Sequence, residues 1–103
     1  MSFSLKKQED IIIVELKELS FDLSLILDGT DGAYKHIIFD LLNISSVTDG
    51  DFKNFTKFGN NNTNNGSFVM IYKGSYKDEF SVVPTLEEAL DFIEMENIER
   101  MLK

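Results

Sequence analysis

The 103-residue sequence contains no cysteine, no tryptophan, one proline and one histidine. Without cysteine there are no disulfides, thiolate metal sites or thiol nucleophiles, so packing must hold the fold. A lone imidazole cannot build the usual zinc or nucleophile–base constellation, which leaves His36 a poor candidate for catalysis. Positive charge is also scarce. Ten Lys and Arg stand against eighteen Asp and Glu, for a net charge of −8. Phosphate contacts need a basic patch, so this balance argues against nucleic acid and favours a protein partner or a cationic surface. No apolar run approaches the roughly 20 residues that span a bilayer, and the start lacks the apolar core of a secretory signal. The expectation is a cytoplasmic protein without a membrane segment. Phosphate-binding loops, dinucleotide fingerprints and the Gly-x-Ser-x-Gly elbow are all missing. No catalytic residue, cofactor or metal is therefore assigned.

What is present, 43% hydrophobic and 27% charged residues, is the composition of an ordinary folded protein. The length suits one domain over residues 1–103. Residues 1–10 read as a polar lead into a β-branched strand at 11–17. Over 19–27 the odd positions Leu19, Phe21, Leu23, Leu25 and Leu27 are apolar, a period of two that favours a half-buried strand over a helix. Two Asp-Gly pairs at 28–32 mark a loop, and their acidic spacing does not fit an EF-hand.

The chain is organised around 36–55. Ile37, Ile38 and Phe39 lead through Asp40 and Leu41-Leu42 to a polar turn at 45–51. Phe52, Phe55 and Phe58 follow at helical spacing, as a core face or as a groove for a partner. This is strand, turn, helix, and in open α/β sheets the working surface lies beyond the carboxyl ends of such strands. Asp49 and Asp51 flank Gly50 there, either to cap the helix or to serve as a charged recognition point. The Asn-rich stretch 59–66 should end the helix near Phe58. A second buried strand is expected at 67–72, a polar connection at 73–79 and a third apolar run at 80–83.

Pro84 and Thr85 open the last helix, where Thr85 and Glu88 have the spacing of a capping box. Leu86, Ala89, Leu90 and Ile93 form one apolar stripe, but Met95, Ile98 and Leu102 fall on another side, with the change near Asn97. Either the tail packs against a loop or the second stripe is a surface for a partner or a second copy.

The run Ile37-Ile38-Phe39-Asp40-Leu41, followed by Val47-Thr48-Asp49-Gly50-Asp51 and a helix, resembles the STAS domain of anti-sigma factor antagonists and anion transporters. Val82-Val83-Pro84-Thr85-Leu86-Glu87-Glu88-Ala89-Leu90 resembles the last strand and helix of that family. The extension from Ile93 to Arg100 is similar to small single-domain STAS-like proteins of Bacteroidetes. The resemblance implies a bacterial α/β protein with a mixed, largely parallel sheet of four to five strands, covered by helices and ending in a long C-terminal helix. It also implies a regulatory, non-enzymatic role in protein–protein interaction. In the family a turn serine is phosphorylated to break a partner interface. Placing Asp49 on the family Asp puts Gly50 and Asp51 where the two serines would be, and Phe52 where a Gly would be, so the phosphoacceptor is missing. Ser45, Ser46 and Thr48 do not fall at the acceptor position.

Docking to a regulatory partner is accordingly expected through Thr48, Asp49, Gly50, Asp51, Phe52 and Phe55, with Asp51 as a fixed negative charge. Met95, Ile98 and Leu102 are a further candidate surface, which includes a possible homodimer. Some small chains of this kind carry a ribonuclease Z label. That enzyme needs a His-x-His-x-Asp-His cluster, so a chain with one histidine could serve only as an accessory to a separate enzyme.

Overall fold

A computed structural model describes residues 3–19, 22–28, 34–63, 66–74, 76, 77 and 79–102. The elements are β1 (Phe3–Gln8), β2 (Ile11–Leu16), α1 (Ser24–Asp28), β3 (His36–Asp40), α2 (Asp49–Asn62), β4 (Phe68–Ile71), β5 (Val82–Val83) and α3 (Leu86–Met101). The five strands form one sheet in sequence order. β1 is antiparallel to β2, and β2 through β5 run parallel. The protein is therefore α/β, with a mixed sheet and a C-terminal helix of 16 residues.

Alternation along the strands divides the core in two. Ile12, Val14, Leu16, Ile37, Phe39, Phe68, Met70 and Val82 share one face with Ile26 of α1 and with Phe52 and Phe55 of α2. Ile13, Ile38, Val69 and Ile71 share the other with Ala89 and Ile93 of α3. Phe39 is the hub of the first face. Its ring meets Phe55 and Phe68 edge-on, at centroid distances of 5.3 and 5.1 Å, and lies 5.7 Å from Phe58. The three α2 phenylalanines thus belong to the core face: Phe52 and Phe55 are buried and Phe58 is half-buried.

Several expectations are corrected. The polar lead is itself a strand. Phe3 and Leu5 pack on the α1–α2 side of the core, and the lysines of this edge strand disguise the alternation. β1 and β2 join through Glu9 and Asp10, with Glu9 at φ 56°. The proposed strand at 19–27 gives way to the short helix α1, and residues 20 and 21 lie outside the described residues. Leu23 and Ile26, three apart, face the core, whereas Leu25 is exposed, so the odd positions do not share a face. Asp22 starts the turn: its Oδ1 accepts from the Ser24 amide at 3.0 Å. That bond also holds the Asp22 carboxyl below its ordinary pKa. Of the loop expected at 28–32, Asp28 is the last residue of α1, and residues 29–32 lie outside the described residues.

α2 does not stop at Phe58 but continues to Asn62. Asn62 Nδ2 donates to the Phe58 carbonyl and Thr63 Oγ1 to the Gly59 carbonyl, each at 2.8 Å. The Thr63 hydroxyl serves one of the last four carbonyls, which the helix end leaves without an intrahelical donor, and Asn62 adds a second bond to the last turn, which offsets the poor propensity of Gly and Asn. Gly59 is buried against β4, where an added Cβ would overlap the Phe68 ring. Among the described residues, the crossover from β4 to β5 contains no helix, yet the two strands pair in parallel, Met70 with Val82 and Ile71 with Val83. Leu86, assigned to the docked stripe of α3, is exposed, and Phe92 packs on that cluster instead.

Two substitutions test these contacts. Gly59→Ala gains up to about 1 kcal/mol of helix propensity. It should nevertheless lower the urea midpoint, because overpacking costs about 1–3 kcal/mol. An unchanged or higher midpoint contradicts the close approach of α2 to β4. Glu9→Gly should raise stability by about 1 kcal/mol through relief of the left-handed backbone, and Glu9→Val should lower it.

Candidate functional site at the carboxyl ends of the central strands

β3 and β4 are buried on both faces, so their carboxyl ends deliver chain to the surface at fixed points. Leu41 N donates to the Ile71 carbonyl at 2.9 Å, which holds the two ends together. Asp40 Oδ1 accepts from the Leu42 amide at 3.0 Å and turns the chain outward. The return is anchored by buried Val47, whose amide donates to the Tyr72 hydroxyl at 3.3 Å. Between these anchors Leu41, Leu42, Ile44, Ser45, Tyr72, Lys73 and Gly74 line an open cleft of about 220 Å³. Gly74 lies so close to the Tyr72 ring that a side chain there would displace it.

Thr48 then caps α2 through a reciprocal pair of bonds. Asp51 N donates to Thr48 Oγ1 at 3.1 Å, and Thr48 N donates to Asp51 Oδ2 at 3.0 Å. Asp51 is therefore half-buried and structurally committed through one oxygen. The Thr-x-x-acid spacing that signals this box was legible at 48–51. At Thr85 the hydroxyl arm forms, accepting from Glu88 N at 3.1 Å, but the complete box belongs to Thr48 and Asp51. Thr48, Asp49 and Gly50 are exposed. Asp49 Oδ2 meets Lys77 Nζ at 2.9 Å, and that hydrogen bond pushes the lysine pKa above its ordinary value. Lys77 was not singled out from the sequence, since a lysine in a polar connection carries no pattern that pairs it with Asp49.

Phe52 ties the first turn of α2 to the β4–β5 crossover, stacked on Phe80 at 5.2 Å and edge-on to Tyr72 at 5.5 Å. Phe52 and Phe55 thus sit beneath the turn and hold it from inside. Met95, Ile98 and Leu102 are not brought to this site: Met95 and Ile98 belong to α3 and Leu102 is its C-cap, on the other side of the sheet.

His36 stands at the opposite end of β3 from the turn and is fully buried. Its Nδ1 accepts from Ser67 N at 2.9 Å, which places the proton of the neutral ring on Nε2. Nε2 has no hydrogen-bond partner, and Asp10 Oδ2 lies 3.8 Å away. Burial pushes the pKa below 6.5, Lys35 and Arg100 add to the depression, and Asp10 and Glu96 oppose it. Among the described residues, no group of three or more His, Cys, Asp or Glu could hold a metal ion. No helix among them is long and apolar enough to cross a membrane. Comparison with protein-family models finds none that matches the chain, and comparison with curated proteins finds no match either.

The histidine makes stability depend on pH. The unfolded chain takes up a proton near 6.5, whereas the folded chain resists it until lower pH. Stability should hold above 6.5 and fall as the pH drops from there towards the folded pKa, by at most about 1.4 kcal/mol per pH unit. Urea unfolding between about pH 7.5 and 5.5 checks this. In His36→Asn, which keeps an acceptor near the Ser67 amide, the slope should vanish, and equal slopes would contradict the assignment.

Proposed function

We propose that the chain is a non-enzymatic, STAS-like interaction module that docks a regulatory protein through the turn opening α2, without the serine switch of the anti-sigma factor antagonists it resembles. The observation that carries this reading is the exposed, rigidly held Thr48–Gly50 surface. The capping box and the Asp49–Lys77 pair fix it in place, and the buried end of β3 presents it. A surface fixed before binding loses less ordering entropy when a partner arrives. Beneath it Phe52 and Phe55 position the turn, and beside it the Leu42–Tyr72–Lys73 cleft offers apolar surface with a cation at its rim.

Asp51 acts through its remaining carboxylate oxygen and through the dipole at the start of α2. Asp49 is the more accessible charge. The resemblance is supported by an apolar strand that ends in Asp40-Leu41 and leads to an acidic helix start, and by a last strand and helix joined through Pro84-Thr85. Among the described residues the crossover after β4 contains no helix, where the STAS family usually has one. It brings Lys77 and Phe80 to the turn instead.

The reading is tested by capture of interacting proteins from native cells on immobilised wild-type chain, Asp51→Ser, Asp51→Lys and Asp49→Lys, each first checked for an intact thermal transition. A partner held by wild type should be retained weakly by Asp51→Ser and lost by both lysine variants. Retention by all four removes the turn from the interface.

A further inference from the structure

The last two turns of α3 are inverted with respect to an ordinary surface helix. Asn97 and Arg100 are turned towards the sheet, where Arg100 Nη2 donates to Ser67 Oγ at 2.9 Å and to Asn97 Oδ1 at 2.8 Å. Ser67 is the residue whose amide is held by buried His36, so the helix tail is pinned to β3 and β4 by polar contacts. That register forces the apolar residues outward: Met95 is 62% exposed, Ile98 46%, Met101 77% and Leu102 81%. A helix that merely outran the sheet would not be held in this rotation by a half-buried arginine.

The same outer face continues towards the start of the helix as Glu87, Asp91 and Glu94, all exposed. Steps of three and four residues place them in line with Met95, Ile98 and Leu102. The face therefore has an acidic half and an apolar half along about 22 Å, at 1.5 Å per residue.

We infer that this face of α3 is a docking surface for a cationic amphipathic helix of another protein. The apolar side of the ligand covers Met95, Ile98, Met101 and Leu102, and its Lys or Arg residues stand over Glu87, Asp91 and Glu94. Charge complementarity selects this occupant over a second copy of the chain. Each copy carries −8, and the apolar half spans only about two turns. Self-pairing through two turns falls far short of the roughly 800 Å² per partner of a standard interface. The surface lies across the sheet from the α2 turn, so this inference does not rest on docking there.

The probe is a labelled peptide of Leu and Lys in amphipathic helical order, read by fluorescence anisotropy against the same peptide with Glu in place of Lys. Wild-type chain should bind the Lys peptide and not the Glu peptide. Ile98→Ser with Leu102→Ser, which leaves charge unchanged, should weaken binding about tenfold or more, equivalent to ~1.4 kcal/mol. Neutralising Glu87, Asp91 and Glu94 to their amides should do the same. Neutralising Glu9, Asp28 and Glu79, exposed acids elsewhere, should leave binding within about twofold. These side chains are exposed, and matching circular dichroism melts establish that each variant is folded.

Several results overturn the inference. They are no preference of wild type for the Lys peptide, equal loss from the two acidic triples, no loss from the Ser pair, and a wild-type dimer on a sizing column that the Ser pair abolishes. Binding to phosphatidylcholine vesicles that the Ser pair abolishes would assign the face to a lipid surface and equally overturn it.

Discussion

β3 is buried on both faces of the sheet, with Ile37 and Phe39 in one core and Ile38 in the other. Phe39 on one side gathers Phe55, Phe58 and Phe68, and Ile38 on the other belongs to the cluster that receives Ala89 and Ile93 of α3. Each fully buried side chain of this size is worth about 1.5–3 kcal/mol. The strand thus fixes the position of both helical layers at once. Its two ends inherit that rigidity. One end delivers the chain through Asp40 to the α2 turn, and the other places His36 and the neighbouring Ser67 under the tail of α3.

This two-sided arrangement sets the α2 turn and the tail of α3 on opposite faces of the sheet. On the α2 side the apolar material is inside and the turn offers hydrogen-bond acceptors and a lysine-paired carboxylate. On the α3 side the pattern reverses beyond Glu94: polar groups are drawn in towards Ser67, and methionine, isoleucine and leucine are left out. The buried, unpartnered His36 Nε2 and Arg100 Nε carry the cost of that reversal, since buried donors without acceptors lose hydration.

Much of the frame was legible in the residues. Ile37-Ile38-Phe39 and Phe68-Val69-Met70-Ile71 are unbroken apolar runs of the kind that strands covered on both sides bear, and the Pro84-Thr85 start and the face change near Asn97 follow helical spacing. The misreadings have physical causes. β1 is an edge strand whose Lys6 and Lys7 mask the inward Phe3 and Leu5. Leu19, Leu23, Leu25 and Leu27 repeat every two or four positions by composition, while the Asp22 carboxylate that caps Ser24 tips the segment into a helix. The stop expected at Phe58 rested on propensity, which Asn62 and Thr63 override with their own hydrogen bonds. The Asp49–Lys77 pair and the Arg100–Ser67–His36 chain join residues about 30 apart in sequence, and no local pattern encodes such contacts.

On the reading proposed above, the turn at the carboxyl end of β3 is a preformed docking surface. Hydrogen exchange of the intact chain, alone and with the protein it retains from native cells, tests it most directly. Amides from Ser46 to Asp51 should gain protection in the complex beyond the common increase that binding gives to globally exchanging core amides such as Ile38 and Met70. Unchanged exchange across the turn in a complex that otherwise forms would contradict it.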